Sequence, residues 1–223
     1  MACSIRRPED DKDYQFQILK QLPSFDSSPS YLPEELPRRE GERPECEVCL
    51  PHAQKTQQSP DEIFAELTHR ASSMLESIAK AGRSTVSMPS TFPAFHLICK
   101  DCSRMPAEAC MTPGGPSCGT EFAHIHTCYY GPDSTKAIEH ANEPWQRWQG
   151  GGQGSMHMCL TVKDAAKVLE SGWGERHLLA GKNASPGFSV PSGLVLVYAP
   201  RTKDELEICL KILSASSSFA QST

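Results

Sequence analysis

Glu121-Phe-Ala-His-Ile-His-Thr-Cys128 alternates along its length. In an extended strand, residues two apart share a face, so His124 and His126 project together, with Phe122 beside them and Ala123 and Ile125 opposite. A strand of this kind carries polar chemistry on one side and needs a core on the other.

The neighbouring segments supply partners for that strand. Phe92 to Cys99 (FPAFHLIC) reads as a second strand, and the Pro/Gly/Cys-rich segment from Met105 to Gly119 reads as loop. Ser155 to Leu160 (SMHMCL) predicts another strand, followed by a helix capped by Thr161 with Asp164 three residues later and ended by Gly172. Leu194 to Tyr198 (LVLVY) is an uninterrupted apolar run suited to a central strand. Thr202 with Glu205 opens a last helix that buries Leu206, Cys209, Leu210 and Leu213. Upstream, Ser59-Pro60-Asp61-Glu62 combines an N-cap serine, a first-turn proline and a capping-box glutamate. The helix it opens carries Ile63, Phe64, Leu67, Ala71, Met74, Leu75 and Ile78 at helical spacing, with Gly82 placed to end it.

These elements show neither a βαβ rhythm nor a Gly-rich phosphate loop, which excludes a Rossmann-type cofactor site. The expected fold is a single α+β domain with a mixed or antiparallel sheet backed by helices. Prolines at 23, 29, 33, 37, 44, 51 and 60 forbid a long helix over 22–60 and leave an extended segment that lies over the rest. The expected organisation is an extended proline-rich strap over 1–58, the α+β domain over 59–216 and a disordered tail over 217–223.

The chain of 223 residues suffices for one substantial core. A net charge of −5 without a dense Lys/Arg cluster argues against nucleic acid or an anionic membrane surface as partner. The start, MACSIRRPEDDKDYQF, has no apolar run after its arginines, and no stretch approaches the roughly eighteen apolar residues of a membrane span. A cytosolic protein without membrane anchor is expected, so the ten cysteines are read as reduced. Cys46, Cys49, Cys99 and Cys102 form two C-x-x-C pairs with the spacing of a four-thiolate zinc site; the alternative is small buried hydrophobes and loop thiols.

If the strand at 155–160 pairs with that at 121–128, His157 reaches the face of His124 and His126. Three imidazoles, with Glu121 nearby as carboxylate, suit a first-row metal with open positions, and without metal they suit general-base work. His177 adds a fourth imidazole inside Ser171-Gly-Trp-Gly-Glu-Arg-His-Leu-Leu-Ala-Gly181. In that segment Trp173 either stacks on a flat substrate or plugs the core. Arg176 and Arg201 either pair with carboxylates or hold a substrate's anionic oxygen.

The runs EFAHIH, SMHMCL, DAAKVLESGWGERHLLAG and LVLVYAPRTKDELEICLKILSAS, in that order, resemble the C-terminal half of the fungal luciferase family. Leu36 to Pro44 (LPRREGERP) resembles that family's strap, and Phe95-His96 falls where the family has a strand histidine, so the resemblance spans most of 36–216. It implies a luciferase-like domain whose site candidates are Glu121, His124, His126, His157 and His177, supported by Trp173, Arg176, Tyr198 and Arg201. It also implies chemistry in which dioxygen adds to a hydroxylated α-pyrone. This sequence is expected to lack the family's N-terminal anchor, and it carries Leu178 where the family favours proline. It also has a long 127–154 segment, in which Tyr129, Tyr130, Trp145, Trp148 and the glycines at 150–152 make either a lid over the site or an exposed spacer.

The resulting expectation is a small cytosolic enzyme of fungal secondary metabolism, an oxygenase without flavin, haem or nicotinamide that acts on a polyketide, pyrone or phenolic substrate. A divalent metal, or no cofactor beyond dioxygen, serves it. The competing readings are a redox-neutral cyclase, isomerase or decarboxylase on the same substrates, and a non-catalytic binding protein clipped by zinc.

Overall fold

Thr161 and Thr202 begin two helices as their spacing predicts, each side-chain oxygen accepting the backbone N–H three residues on, from Asp164 and Glu205. The structure, a computed structural model, describes residues 12–47, 52–75, 79–83, 94–99, 105–111, 121–126, 153–185 and 188–222. The helices within these are α1 (Lys12–Lys20), α2 (Asp61–Leu75), α3 (Val162–Glu170) and α4 (Lys203–Ala220). The strands are β1 (Ala79–Arg83), β2 (Ala94–Cys99), β3 (Glu121–His126), β4 (Met156–Cys159), β5 (Gly174–Arg176), β6 (Asn183–Ser185), β7 (Phe188–Ser189) and β8 (Leu194–Val197).

Six strands form one sheet in the order β1-β2-β3-β4-β8-β5, with every described pairing antiparallel, and β6 pairs with β7 apart from it. This is the α+β architecture expected. One sheet face packs on the helices: Ala123, Ile125, Met156, Met158, Val195 and Val197 share a buried core with Leu67 of α2, Val168 of α3 and Leu213 of α4. The alternate residues of the same strands, His124, His126, His157, Leu196 and Glu175, face away from that core. The apolar row therefore fixes the register of the polar one, because a one-residue slip would exchange the two faces.

A bulge modifies β3. Ala123 pairs with Leu97, but the next residue, Ile98, pairs with Glu121. The extra residue, Phe122, turns into the helix-side core, and Glu121 moves to the histidine side. The strict alternation expected for this strand, with Phe122 beside the histidines, is corrected accordingly.

The N-terminal segment divides between the two faces: α1, which the proline pattern over 22–60 does not address, and Leu32 pack with the helix-side core, and Arg43 and His52 reach the histidine side. Asp164, fully buried in the first turn of α3, latches the strap by accepting from Ser30 Oγ (2.6 Å), Tyr31 N (2.8 Å) and Leu32 N (3.2 Å). Further along, Gln54 donates to the carbonyls of Thr56 and Gln57, and its Oε1 accepts from Ala199 N at the end of β8. Gly154 lets the strap close on the sheet: it has φ +85°, and an added Cβ would lie 2.1 Å from Ser59 Oγ.

Two boundaries differ from expectation. The second helix is described to Leu75, and Gly82 lies inside β1, where pairing with β2 overrides a weak helical pattern; Ile78 lies outside the described residues. The last helix runs to Ala220, so residues 217–220 are not a disordered tail: Phe219 is buried against the core and its ring meets that of Tyr31 at 6.4 Å. Among the described residues no helix is long and apolar enough to cross a membrane.

Candidate functional site

Among the described residues, His157 on β4 is the hub of a cluster of five imidazoles. The sheet register makes it the direct partner of His124 on β3, and its Nδ1 lies 3.1 Å from His124 Nε2. His126 Nε2 lies 3.2 Å from the same His124 nitrogen, and its other nitrogen, Nδ1, meets Ser155 Oγ at 2.8 Å. His124 Nδ1 turns outward to Glu121 Oε1 at 2.7 Å, a contact the β3 bulge makes possible. His126 and His157 are buried, and the Glu121–His124 edge is partly exposed.

The other side of His157 is built by the strap and β5. Its Nε2 lies 3.4 Å from His52 Nδ1, and His52 Nε2 lies 2.7 Å from Glu175 Oε1. Glu175 and His177 are two apart at the end of β5, where His177 N still bonds Leu194 O, so both project to this face. The His177 ring packs edge-on against His157 at 4.8 Å and against His52 at 5.1 Å, and its Nδ1 accepts from Leu179 N at 3.2 Å.

Glu175 anchors this half of the site. Its carboxylate accepts from His52, from Arg43 and from Tyr198 Oη (2.9 Å), and Arg43 Nε also donates to Tyr198 Oη at 2.8 Å. Burial alone would push the Glu175 carboxyl up. The His52 hydrogen bond and charge, then those of Arg43, outweigh it and bring the carboxyl down to about 2. His177 moves the opposite way in charge: burial, then the charges of His52 and His124, lower it to about 3. Burial and the four neighbouring imidazoles likewise hold His157 well below the ordinary histidine value. At neutral pH the cluster thus presents uncharged rings at His157 and His177 between two carboxylates.

The structure brings together four of the expected site histidines with Glu121, and separates the expected substrate-binding residues from them. Trp173 lies in the helix-side core, with its indole N–H donating to Pro37 O at 2.6 Å, so it plugs the core. Arg176 stands on β5 between Glu175 and His177, hence on the other face; its Nε donates to Ser192 O, and its guanidinium lies against Gly181. Arg201 pairs with Glu205 and clamps Gln57 and Glu40 of the strap to the start of α4. Tyr198 is buried behind Glu175, its hydroxyl pushed far up by burial and then by that carboxylate. Of the four, Tyr198 joins the site through its hydrogen bond to Glu175.

Sequence reasoning missed His52 and Glu175. Glu175 had a readable signal, since it shares the parity of His177 in a run already singled out. His52 had none, because it arrives from a covering segment with no periodicity of its own.

Two groups of nitrogen atoms lie close enough to hold one ion, each within 4.8 Å: His124, His126 and His157, and His52, His157 and His177. Among the described residues no cysteine joins such a group. Cys46 is a free thiol bridged to Gln54 in the strap, pushed well up by burial and then by Glu175. Cys49, Cys102 and the Cys99 side chain lie outside the described residues, as do residues 127–152, which include the aromatic residues and glycines of the expected lid.

Fold and site together define an antiparallel α+β protein whose sheet carries buried imidazoles on the face opposite its helices. Residues 150–216 match the family model described as Luciferase domain, which places His157, Glu175, His177 and Tyr198 inside the match. Luciferases of Armillaria gallica and Neonothopanus nambi are each 39% identical over 62 residues, covering 28% of this chain and 22% of theirs. The similarity to the Luciferase domain and to these fungal luciferases rests on that C-terminal segment, and the matched stretch spans about a fifth of the length of these relatives. No solved structure matches it.

Proposed function

We propose that this protein is an oxidoreductase of fungal secondary metabolism that adds dioxygen to a flat, enolisable polyketide, pyrone or phenolic compound. The observation that carries the reading is the pair of buried, uncharged imidazoles His157 and His177 in a cluster partly exposed at its Glu121–His124 edge, in a chain whose relatives are named luciferases. An uncharged imidazole, or the Glu121 carboxylate at the same edge, accepts a hydroxyl proton, which leaves an electron-rich enolate carbon. That carbon gives its electrons to dioxygen, a C–O bond forms, and the proton returns to the resulting peroxide. With Leu179 N–H on its Nδ1, neutral His177 carries its own proton on Nε2 and serves as a donor to developing negative charge.

Redox-neutral isomerisation or decarboxylation uses the same base, and oxygen dependence separates the two. Purified full-length protein is incubated with hydroxylated α-pyrones and phenolic polyketides on an oxygen electrode. Uptake of one dioxygen per product, abolished in His124→Gln, is expected. The same product formed at the same rate under strict anaerobiosis would exclude the oxygenase.

A further inference from the structure

We propose that the five imidazoles divide into one metal site and one orienting relay: His124 Nε2, His126 Nε2 and His157 Nδ1 hold a single divalent first-row cation, and Glu175 acts through His52 to fix the His157 ring that serves it. The inference concerns the same cluster as the proposed function and takes from that reading only the location of the site.

The warrant is the convergence of three imidazole nitrogens within one ion's reach, in a chain of contacts that a central cation completes. Glu121, His124, His157, His52 and Glu175 form a chain with four contacts, of 2.7, 3.1, 3.4 and 2.7 Å. Each end is a carboxylate, which when ionised only accepts, and an imidazole in its neutral form owns one N–H. With all three rings neutral, three protons would serve four contacts and one contact would set lone pair against lone pair. A cation placed there removes the conflict.

The third nitrogen decides where. At the His124–His157 contact, His126 Nε2 also converges, and its Nδ1 meets the Ser155 hydroxyl, which accepts from the tautomer that presents a lone pair at Nε2. At the His157–His52 contact the third ring is His177, whose Nδ1 accepts from Leu179 N–H and whose neutral form therefore has its proton on Nε2. The first group can present three lone pairs and the second only two. Nitrogen separations of 3.1 and 3.2 Å are close to the edge of about 3.3 Å for a tetrahedron with metal–nitrogen bonds near 2.05 Å. Every ligand then donates its other N–H: His124 to Glu121, His126 to Ser155, and His157 to His52, which donates to Glu175 in turn. His52 and Glu175 are thus positioning residues.

The test is a cobalt titration of the full chain after chelator dialysis, read by visible absorption and by bound metal, with no substrate present. One cobalt per chain is expected, with imidazole-type absorption. His124→Gln and His126→Gln, two independent ligand changes, should each weaken binding at least about 100-fold, and His177→Gln less than about threefold. His52→Leu should weaken it roughly 10- to 100-fold with an unchanged circular dichroism spectrum, while His52→Gln, whose amide keeps one donor and one acceptor, restores most of the loss. No stoichiometric binding by the wild type would mean that a proton bridges the rings, and would overturn the proposal. So would two ions per chain, thiolate charge-transfer absorption, or a His177→Gln loss equal to that of His126→Gln. The titration is read without substrate, so failure to bind metal leaves the oxygen-uptake reading standing, and failure to take up oxygen leaves the metal site standing.

Discussion

His124 Nε2 and His157 Nδ1 stand 3.1 Å apart between residues that are direct register partners on adjacent antiparallel strands. The sheet sets this distance, because Ala123↔Met158 and Ile125↔Met156 flank the pair and bury their side chains on the helix side. The half of the site on β3 and β4 is therefore as rigid as the core, and the half on His52 depends on how the strap is held.

Glu175 is the link between the strap and the site, and its acid response is predictable. Its carboxyl lies at about 2 in the folded chain against an ordinary 4.5. Both states are ionised above pH 4.5, so the stabilisation is complete there. It is lost as pH falls from 4.5 through 2, where the unfolded chain takes up the proton first. The magnitude is about 3 kcal/mol. We predict that Glu175→Gln lowers stability at pH 7 by about that amount and flattens the pH dependence between 5 and 3, measured by urea midpoints. Equal acid sensitivity in wild type and variant would contradict it.

Asp164 should control the strap without touching the imidazoles. Replacing it by alanine leaves Tyr31 N and Leu32 N without their carboxylate acceptor, at a cost of about 2–3 kcal/mol. The predicted signature is faster proteolytic cleavage near residues 28–35 in Asp164→Ala. An unchanged cleavage pattern would show that the strap is held elsewhere.

Much of this architecture is legible in the sequence, and the exceptions have identifiable causes. The caps at Thr161 and Thr202, the LVLVY strand and the shared face of His124 and His126 follow from local spacing, and the cross-strand position of His157 follows once β3 and β4 pair. Local spacing could not reveal the bulge at Phe122, since the extra residue is defined only against β2. Nor could it choose between the two roles of Trp173, because either suits a glycine-framed tryptophan; the choice is made by Pro37 O, 136 residues away in the chain. The edge strand β1 takes residues that read as the end of a helix because sheet pairing, a tertiary effect, is invisible at that range.

Trp173→Phe distinguishes those two roles in solution. It keeps an aromatic ring in the core and removes the N–H that Pro37 accepts, costing about 1–2 kcal/mol. Turnover with any accepted substrate should stay within twofold of wild type when measured well below the unfolding transition. A rise in KM above tenfold without loss of stability would return Trp173 to the substrate.

Gly154→Ala tests how closely the strap must approach the sheet. The new Cβ would meet Ser59 Oγ and Cβ at 2.1 and 2.8 Å, on a residue with φ +85°. A loss of about 2–3 kcal/mol in thermal or chemical unfolding is predicted, partly recovered by Ser59→Gly in the same chain. Full stability of the single variant would contradict the packing described.

The most direct test of the whole account supplies labelled dioxygen, ¹⁸O₂, with an accepted pyrone or phenol, and follows the label by mass spectrometry in wild type and His157→Gln. The account predicts label in the product of the wild type and a fall in its formation of at least about 100-fold in the variant, whose fold is retained by circular dichroism. Unlabelled product, or full activity without the His157 imidazole, would contradict it.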